Sequence, residues 1–241
     1  MAILPQFART LARGAARAAA ALLPQDCFLC GAAAGATLLC PACANDLPCL
    51  SGPNCPICAL PTPTGAVCGA CLKQGPHFDA TRTRFRYGFP LDRLVQALKY
   101  HHRLAVAGYF AEALLEVAPP EAAAGDLMMA LPLSGQRLAE RGFNQALEIA
   151  RPLAHRLDLP LAVEGYAKSF DTAPQASLPW KERQKNIRGA FECALDLSGK
   201  HVIVIDDVMT TGATLNEFAR TLKKHGAARV TNWVVARAIR D

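Results

Sequence analysis

Four β-branched residues in succession, Val202-Ile203-Val204-Ile205, run directly into Asp206-Asp207 and then into Val208-Met209-Thr210-Thr211-Gly212-Ala213-Thr214. An apolar run without alternation is a strand buried on both faces, as in a parallel sheet, and the amphipathic stretch Leu215 to Lys224 behind it reads as a helix. Strand, tight loop and helix in that order make an anion site. The backbone N–H groups of Thr210, Thr211, Gly212, Ala213 and Thr214 converge at the helix N-terminus, where the macrodipole favours a phosphate. Gly212 permits close backbone approach, and the hydroxyls add donors. Asp206 and Asp207 stand one step away, placed to accept hydrogen bonds from sugar hydroxyls. A helix cap alone needs one Asp, and Ser or Asn serves as well. Two adjacent acids after an apolar strand cost desolvation and require a ligand or cation nearby.

The cysteines divide the chain. Nine of the ten lie between Cys27 and Cys71, in a stretch short of large apolar residues, so something other than a core holds it. Cys27, Cys30, Cys40 and Cys43 have the form C-x2-C-x9-C-x2-C, and Cys55, Cys58, Cys68 and Cys71 repeat it twenty-eight residues on. Each C-x2-C knuckle presents two thiolates, so two knuckles supply a tetrahedral set for Zn²⁺. Two structural zinc sites in series are the simplest arrangement, and cross-braced pairing of the same ligands satisfies the spacing too. A disulfide framework would need an oxidising compartment, for which the chain shows no signal. Cys49 is left over as a substitute ligand, and Cys193 reads as a small core residue.

Residues 1–26 carry Arg9, Arg13 and Arg17 and no acid before Asp26. Arginines recurring every fourth position do not fit a secretory signal; they fit an amphipathic helix with a basic stripe, docked on the protein or touching a nucleic-acid or membrane surface. With no apolar run long enough to span a bilayer, a cytoplasmic protein is expected. The net charge of +6 permits nucleic-acid contact without demanding it. The organisation that follows is an N-terminal helix over 1–26, a double zinc-ribbon-like module over 27–75 and an α/β domain over 76–241.

Within that last part, Thr81 to Tyr87 alternates strictly, which predicts a strand with Arg82, Arg84 and Arg86 on one face. Edge-strand protection and a phosphate- or nucleic-acid-binding face both explain them. Leu91, Leu94, Val95 and Leu98 mark a helix ending at Lys99-Tyr100-His101-His102. A buried strand over Asp126–Pro132 opens into Ser134 and Arg137, and a helix over Phe143–Leu157 and a strand over Leu161–Ala167 follow. The polar stretch Lys168–Arg188 comes next, and a last strand spans Val230–Val235. The β-α-β alternation predicts a parallel sheet covered by helices.

The loop after Asp206-Asp207 resembles the phosphoribosyl-pyrophosphate (PRPP) loop of type I phosphoribosyltransferases. Three further segments narrow the resemblance. Arg137-Leu138-Ala139-Glu140-Arg141-Gly142-Phe143-Asn144-Gln145, the run Gln175-x2-Leu178-x3-Glu182-Arg183-x2-Asn186-x3-Ala190-Phe191, and Leu98-Lys99-Tyr100 are similar to the pattern of the ComF family. With the cysteine knuckles in front, the resemblance covers nearly the whole chain. It implies a type I phosphoribosyltransferase-like parallel sheet flanked by helices, preceded by a Cys-rich zinc-binding module. It also implies PRPP with Mg²⁺ as ligand, held by Asp206, Asp207, Thr210, Thr211, Gly212, Ala213, Thr214, Ser134 and Arg137. Lys168–Arg188 takes the place of the mobile catalytic loop, where Lys181 and Arg183 join Arg137 in neutralising departing pyrophosphate. The family often has a basic residue and Thr before the Gln of that loop; this chain has Ser169-Phe170-Asp171-Thr172, which leaves Lys168 to substitute.

Two functions follow from the resemblance. In one, the protein binds PRPP and acts in DNA uptake and natural transformation, handling single-stranded DNA together with competence machinery proteins, with Phe85, Phe143 and Trp180 as candidate stacking groups, although Phe85 and Phe143 read more simply as core residues. In the other, it is an active phosphoribosyltransferase acting on an unidentified nitrogen nucleophile. Whether it is an enzyme is left open, since no base pocket is recognisable.

Overall fold

The computed structural model describes residues 25–118, 125–170 and 187–239. The expected N-terminal helix over 1–26 and the loop residues Gln175, Trp180, Lys181 and Arg183 therefore lie outside the described residues, apart from Gln25 and Asp26. The chain divides into two compact units, one up to Leu47 and one from Pro48 onward.

The described part of the first unit is a single ribbon. Strands β1 (Gln25–Asp26) and β2 (Ala33–Gly35) pair antiparallel, and a short helix α1 (Pro41–Asn45) follows. Cys27 opens a knuckle in which its N–H donates to Ala32 O at 2.6 Å and its carbonyl accepts from Gly31 N at 2.9 Å. That turn needs a left-handed residue, and Gly31 supplies it with φ 74°.

The second unit begins with the second ribbon, which ends in helix α2 (Gly69–Lys73), and continues as an α/β body. Chain order in the body is β3 (Ala80–Arg86), α3 (Leu91–Tyr100), α4 (Ala105–Leu115), β4 (Leu127–Ala130), α5 (Gly135–Arg141), α6 (Gln145–Leu157), β5 (Leu161–Ala162), β6 (Tyr166–Lys168), β7 (Phe191–Cys193), β8 (His201–Met209), α7 (Ala213–Lys224) and β9 (Arg229–Arg237). Five of these strands form a parallel sheet in the order β3-β9-β8-β4-β5. The unalternating run of β8 lies near its centre: Val202, Val204, Ile203 and Ile205 are all at most 1% exposed.

Helix α3 buries Leu91, Leu94, Val95 and Leu98, an i, i+3, i+4, i+7 stripe. Each fully buried leucine of that stripe contributes about 1.5–3 kcal/mol. Helix α6 buries Ala146, Ile149, Ala150, Leu153 and Ala154 and packs on β4 and β8. Its start is set by Asn144, whose Oδ1 accepts from Ala146 N at 2.9 Å and from Leu147 N at 3.4 Å.

One expected element is two. The strand predicted over Leu161–Ala167 is broken: β5 pairs with β4, whereas β6 turns away to pair antiparallel with β7. The break falls at Gly165 with φ 83°, where an added Cβ would meet Leu195 Cδ2 at 2.6 Å. Among the described residues, no helix is long and apolar enough to cross a membrane.

Candidate functional site

The loops after β4 and β8, neighbours in the sheet, open at the same carboxyl edge, where open α/β sheets bind ligands. Between them lies a cavity of about 240 Å³. Asp206, Asp207 and all five residues Thr210, Thr211, Gly212, Ala213 and Thr214 line it, as do Arg137, Arg141 and Lys168.

The phosphate-loop side follows from backbone geometry. Gly212 adopts φ 80°, a conformation that favours glycine, and a Cβ there would displace Met209 Cε, 2.5 Å away. Thr211 Oγ1 accepts from Ala213 N at 3.3 Å at the start of α7. The carbonyls of Met209 and Thr210 point the other way, onto the buried guanidinium of Arg237 at the end of β9.

At the acids, Asp206 Oδ1 accepts from Asp207 N at 2.8 Å. Asp207, 6% exposed, holds Lys99 Nζ at 2.8 Å from its Oδ2, which has no other hydrogen-bond partner among the described residues. Burial works against the Lys99 ammonium, yet the attraction of Asp207 and Asp206 outweighs it and raises its pKa. Burial, reinforced by Asp207, pushes the Asp206 carboxyl up to about 7. Two adjacent acids, Asp207 buried and Asp206 half-buried, are costly together, which is the condition a diol or a cation relieves.

On the opposite wall, Ser134 does not line the cavity. It is buried, and its Oγ accepts from Arg137 N at 3.4 Å as the cap of α5. Asn144 Nδ2 donates to Leu131 O at 3.0 Å, pinning the loop after β4. Next to it, Gln145 lines the cavity at 2% exposure, and its Nε2 has no partner among the described residues. An unsatisfied buried amide facing a cavity is a donor waiting for an acceptor.

Lys99 and Gln145, which line the cavity, and Arg237, which holds two carbonyls of its loop, are candidate site residues that the sequence did not single out. Lys99 and Gln145 stood inside the segments that carry the family resemblance, so a signal existed. Arg237 had none, because its role depends on which carbonyls meet it. A second cavity of about 350 Å³ adjoins the first through Lys99, Arg137 and Arg141 and adds Tyr100, His102 and Glu140. The Arg141 guanidinium lies 5.5 Å from the centre of the Tyr100 ring, and the His102 and Phe143 rings are 5.4 Å apart.

The cysteines form two groups in series, Cys27, Cys30, Cys40 and Cys43, then Cys55, Cys58, Cys68 and Cys71, with the sulfurs of each group within 4.8 Å of one another. Tetrahedral Zn²⁺ with bonds of about 2.3 Å sets its sulfurs about 3.8 Å apart. The Cys30 and Cys40 sulfurs are 3.7 Å apart and those of Cys58 and Cys68 3.6 Å, so both sets fit structural zinc. In the second set, burial opposes ionisation of Cys55, but the N–H groups of Cys68, Cys58 and Ile57 prevail and bring its thiol down to about 7. Cys49 belongs to neither group. It pairs as an antiparallel bridge with Phe85 on the free side of β3, where Leu50 N donates to Arg84 O at 2.9 Å and Arg86 N to Pro48 O at 2.8 Å. The edge of the sheet is thus covered by backbone, and Arg84 is engaged by Glu116 at 3.0 Å. Phe85 is 3% exposed and belongs to the core, which removes it as a stacking group.

The phosphoribosyl transferase domain family matches residues 144–240, and the double zinc ribbon domain family matches residues 18–72. DNA utilization protein YhgH of Escherichia coli (strain K12) is 34% identical over 191 residues, covering 77% of this chain and 84% of that protein. Competence protein F of Haemophilus influenzae is 32% identical over 184 residues, covering 71% of this chain and 78% of that one. Competence protein ComFC of Bacillus subtilis is 27% identical over 216 residues, covering 83% and 84% respectively. A parallel sheet carrying an acid pair and a glycine turn at its carboxyl edge, behind two four-cysteine ribbons, agrees with these matches, and the chain belongs to the ComF family.

Proposed function

We propose that this protein binds PRPP together with Mg²⁺ in the cavity at the end of β8, and that it acts in the cytoplasm in DNA uptake and natural transformation, handling single-stranded DNA. The observation that carries the ligand reading is the convergence of Asp206, Asp207 and residues 210–214 on one cavity whose remaining charged lining is Lys99, Arg137, Arg141 and Lys168. Loop N–H groups take the 5′-phosphate, the two carboxylates accept from the ribose hydroxyls, and Arg137, Arg141 and Lys168 face the pyrophosphate. Bound with PRPP beside Asp206 and Asp207, Mg²⁺ would supply further charge neutralisation. Lys99 already pairs with Asp207, so this carboxylate has a cation beside it before the ligand arrives. Calorimetric titration with PRPP and Mg²⁺ tests the reading: wild type binds, and Asp206→Asn with Asp207→Asn loses binding while keeping its far-UV circular dichroism. Equal affinity in both proteins would show a motif that has become structural only.

The DNA reading draws on the relatives named for DNA utilization and competence, and on the second cavity. Its cations would meet phosphates, while the exposed Tyr100 ring offers a face for a base. Binding should weaken steeply as salt rises, and Tyr100→Ala should cost about 1–3 kcal/mol of affinity for a short single strand without changing the salt slope. An unchanged isotherm would move the DNA function onto protein partners.

One observation favours turnover as a second reading: cations flank the pyrophosphate position in a domain that matches the phosphoribosyl transferase family. As the bond from the anomeric carbon to pyrophosphate breaks, Arg137 and Arg141 stabilise the leaving group while a nitrogen nucleophile attacks; Lys181 and Arg183, to which the family resemblance gives the same role, lie outside the described residues. Release of pyrophosphate from PRPP with a panel of bases, ammonia or glutamine decides it.

A further inference from the structure

Arg237 is 4% exposed at the end of β9, and among the described residues it forms no ion pair with a carboxylate. Its donors go to four backbone carbonyls. Nε donates to Cys58 O at 2.9 Å, and Nη1 to Met209 O at 3.0 Å, to Ala238 O at 2.7 Å and to Thr210 O. Cys58 belongs to the second four-cysteine group, while Met209 and Thr210 open the phosphate loop. A buried guanidinium without a counter-charge would be unstable. Four thiolates around Zn²⁺ in the second group would carry a formal charge of about −2 next to the Cys58 carbonyl that Arg237 holds, and would supply that counter-charge.

Geometry on the loop side completes the chain of cause. A peptide turned so that its carbonyl meets Arg237 presents its N–H toward the opposite side, and Thr210 and Thr211, which carry those N–H groups, line the cavity. The same apolar cluster contains Cys55, Cys58 and Cys71 of the ribbon, Phe78, and Met209, Ala213 and Leu215 of the loop and its helix, so ribbon and loop have little freedom to move separately.

We propose that Arg237 is a positioning residue that ties the shape of the anion-binding loop to the metal state of the second ribbon. Loss of metal there removes the arginine's counter-charge and shifts the Cys58 carbonyl, and the Met209 and Thr210 carbonyls lose their common donor. Among the described residues of its own unit, the first ribbon has no such link. The importance of the loop for PRPP rests on the function proposed above, but the coupling itself does not.

Hydrogen exchange read by mass spectrometry on the full zinc-loaded chain tests it, through peptides covering residues 205–215. Cys58→Ser and Arg237→Gln should each speed exchange there by about tenfold or more, the effect of losing hydrogen bonds to a charged donor. Arg237→Lys, which keeps the charge and loses the fork, should fall between wild type and Arg237→Gln, and Cys30→Ser should leave the peptides at the wild-type rate. Should Cys58→Ser fail to fold, stepwise chelation of wild type gives the same readout. Unchanged exchange at 205–215 once the second site has lost its metal overturns the coupling. In a reciprocal arm, PRPP with Mg²⁺ should slow zinc release from the second site and not from the first, and Arg237→Gln should abolish that difference. A wild-type chain that fails to bind PRPP defeats the ligand reading, and the exchange result still decides the coupling.

Discussion

The two ribbons share a spacing and a local geometry, yet they are built into the protein differently. In each, the first cysteine's N–H reaches a carbonyl five residues on, and its own carbonyl accepts from the residue four on; Cys55 repeats with Leu60 and Ala59 what Cys27 does with Ala32 and Gly31. The left-handed residue of the turn differs. Gly31 fills it in the first ribbon, and Ala59, with φ 58°, fills it in the second. Ala59 is 1% exposed, so packing around the second ribbon holds a conformation that alanine disfavours. The first ribbon lies in a unit of its own, whereas the second belongs with the sheet and shares its apolar cluster. The same four-cysteine chemistry thus serves a small unit of its own in one place and a piece of the sheet's core in the other.

The largest test is removal of a ligand. Cys55→Ser should lower the stability of the sheet-containing unit by about 5 kcal/mol or more, because metal affinity there is folding energy. Cys27→Ser should leave that unit's thermal transition within about 0.5 kcal/mol of wild type. Metal analysis beside the melts should give about two zinc ions for wild type and about one for Cys27→Ser. Equal destabilisation by both substitutions breaks the comparison.

Next comes Phe78, 4% exposed between ribbon and loop. Phe78→Ala should cost about 3–5 kcal/mol in denaturant unfolding and speed alkylation of the second ribbon's cysteines, while those of the first react at the wild-type rate.

A smaller effect comes from the acids. Asp206 titrates at about 7 when folded, well above an ordinary carboxylate, so between about pH 4 and 7 the folded chain holds a proton that the unfolded chain has released. Its contribution to stability therefore falls as pH rises through that window and levels off above it. Asp206→Asn should flatten this slope and stabilise the ligand-free protein by about 1–2 kcal/mol at pH 8. Urea titrations across pH 5–8 read it. The slope should appear in the transition that exposes Cys55 and Cys58, and its appearance in the one that exposes Cys27 would place the boundary between the units elsewhere. Smallest is Gly212→Ala, whose strained φ and contact with Met209 Cε should cost about 1 kcal/mol and weaken PRPP binding about tenfold.

Periodicity and composition carried much of this architecture. The unbroken apolar run of β8, the stripe of α3 and the repeated cysteine spacing each encode their surroundings locally, and the structure places all three as their patterns require. Asp206, Asp207 and residues 210–214 were legible for the same reason, being contiguous. What escaped was non-local. Lys99 reads as a helix-end lysine until β8 brings Asp207 to it, and Gln145 as a first-turn residue until its amide is found buried without a partner. The break at Gly165 was invisible because Leu161–Ala167 alternates well enough for one strand, while Leu195, which fills the space beside the glycine, comes from a distant segment. Cysteine density drew a module over 27–75, but density records ligands and not the apolar partners that join the second ribbon to the sheet.

The strand pairings also set an order of assembly. Asp79 and Val230, 151 residues apart, clasp each other twice at the mouth of the β3–β9 pair, through Asp79 N to Val230 O at 2.8 Å and Val230 N to Asp79 Oδ2 at 2.7 Å. A ribosome threading this chain out delivers the knuckles of Cys27 and Cys55 long before it delivers β8 and β9. The first ribbon can close on its ion at once, since everything it needs has already emerged. The second must wait, with its apolar side uncovered, until the last strand arrives and Arg237 reaches the Cys58 carbonyl. During translation that uncovered side is where chaperones would bind and where a stalled or truncated chain would aggregate.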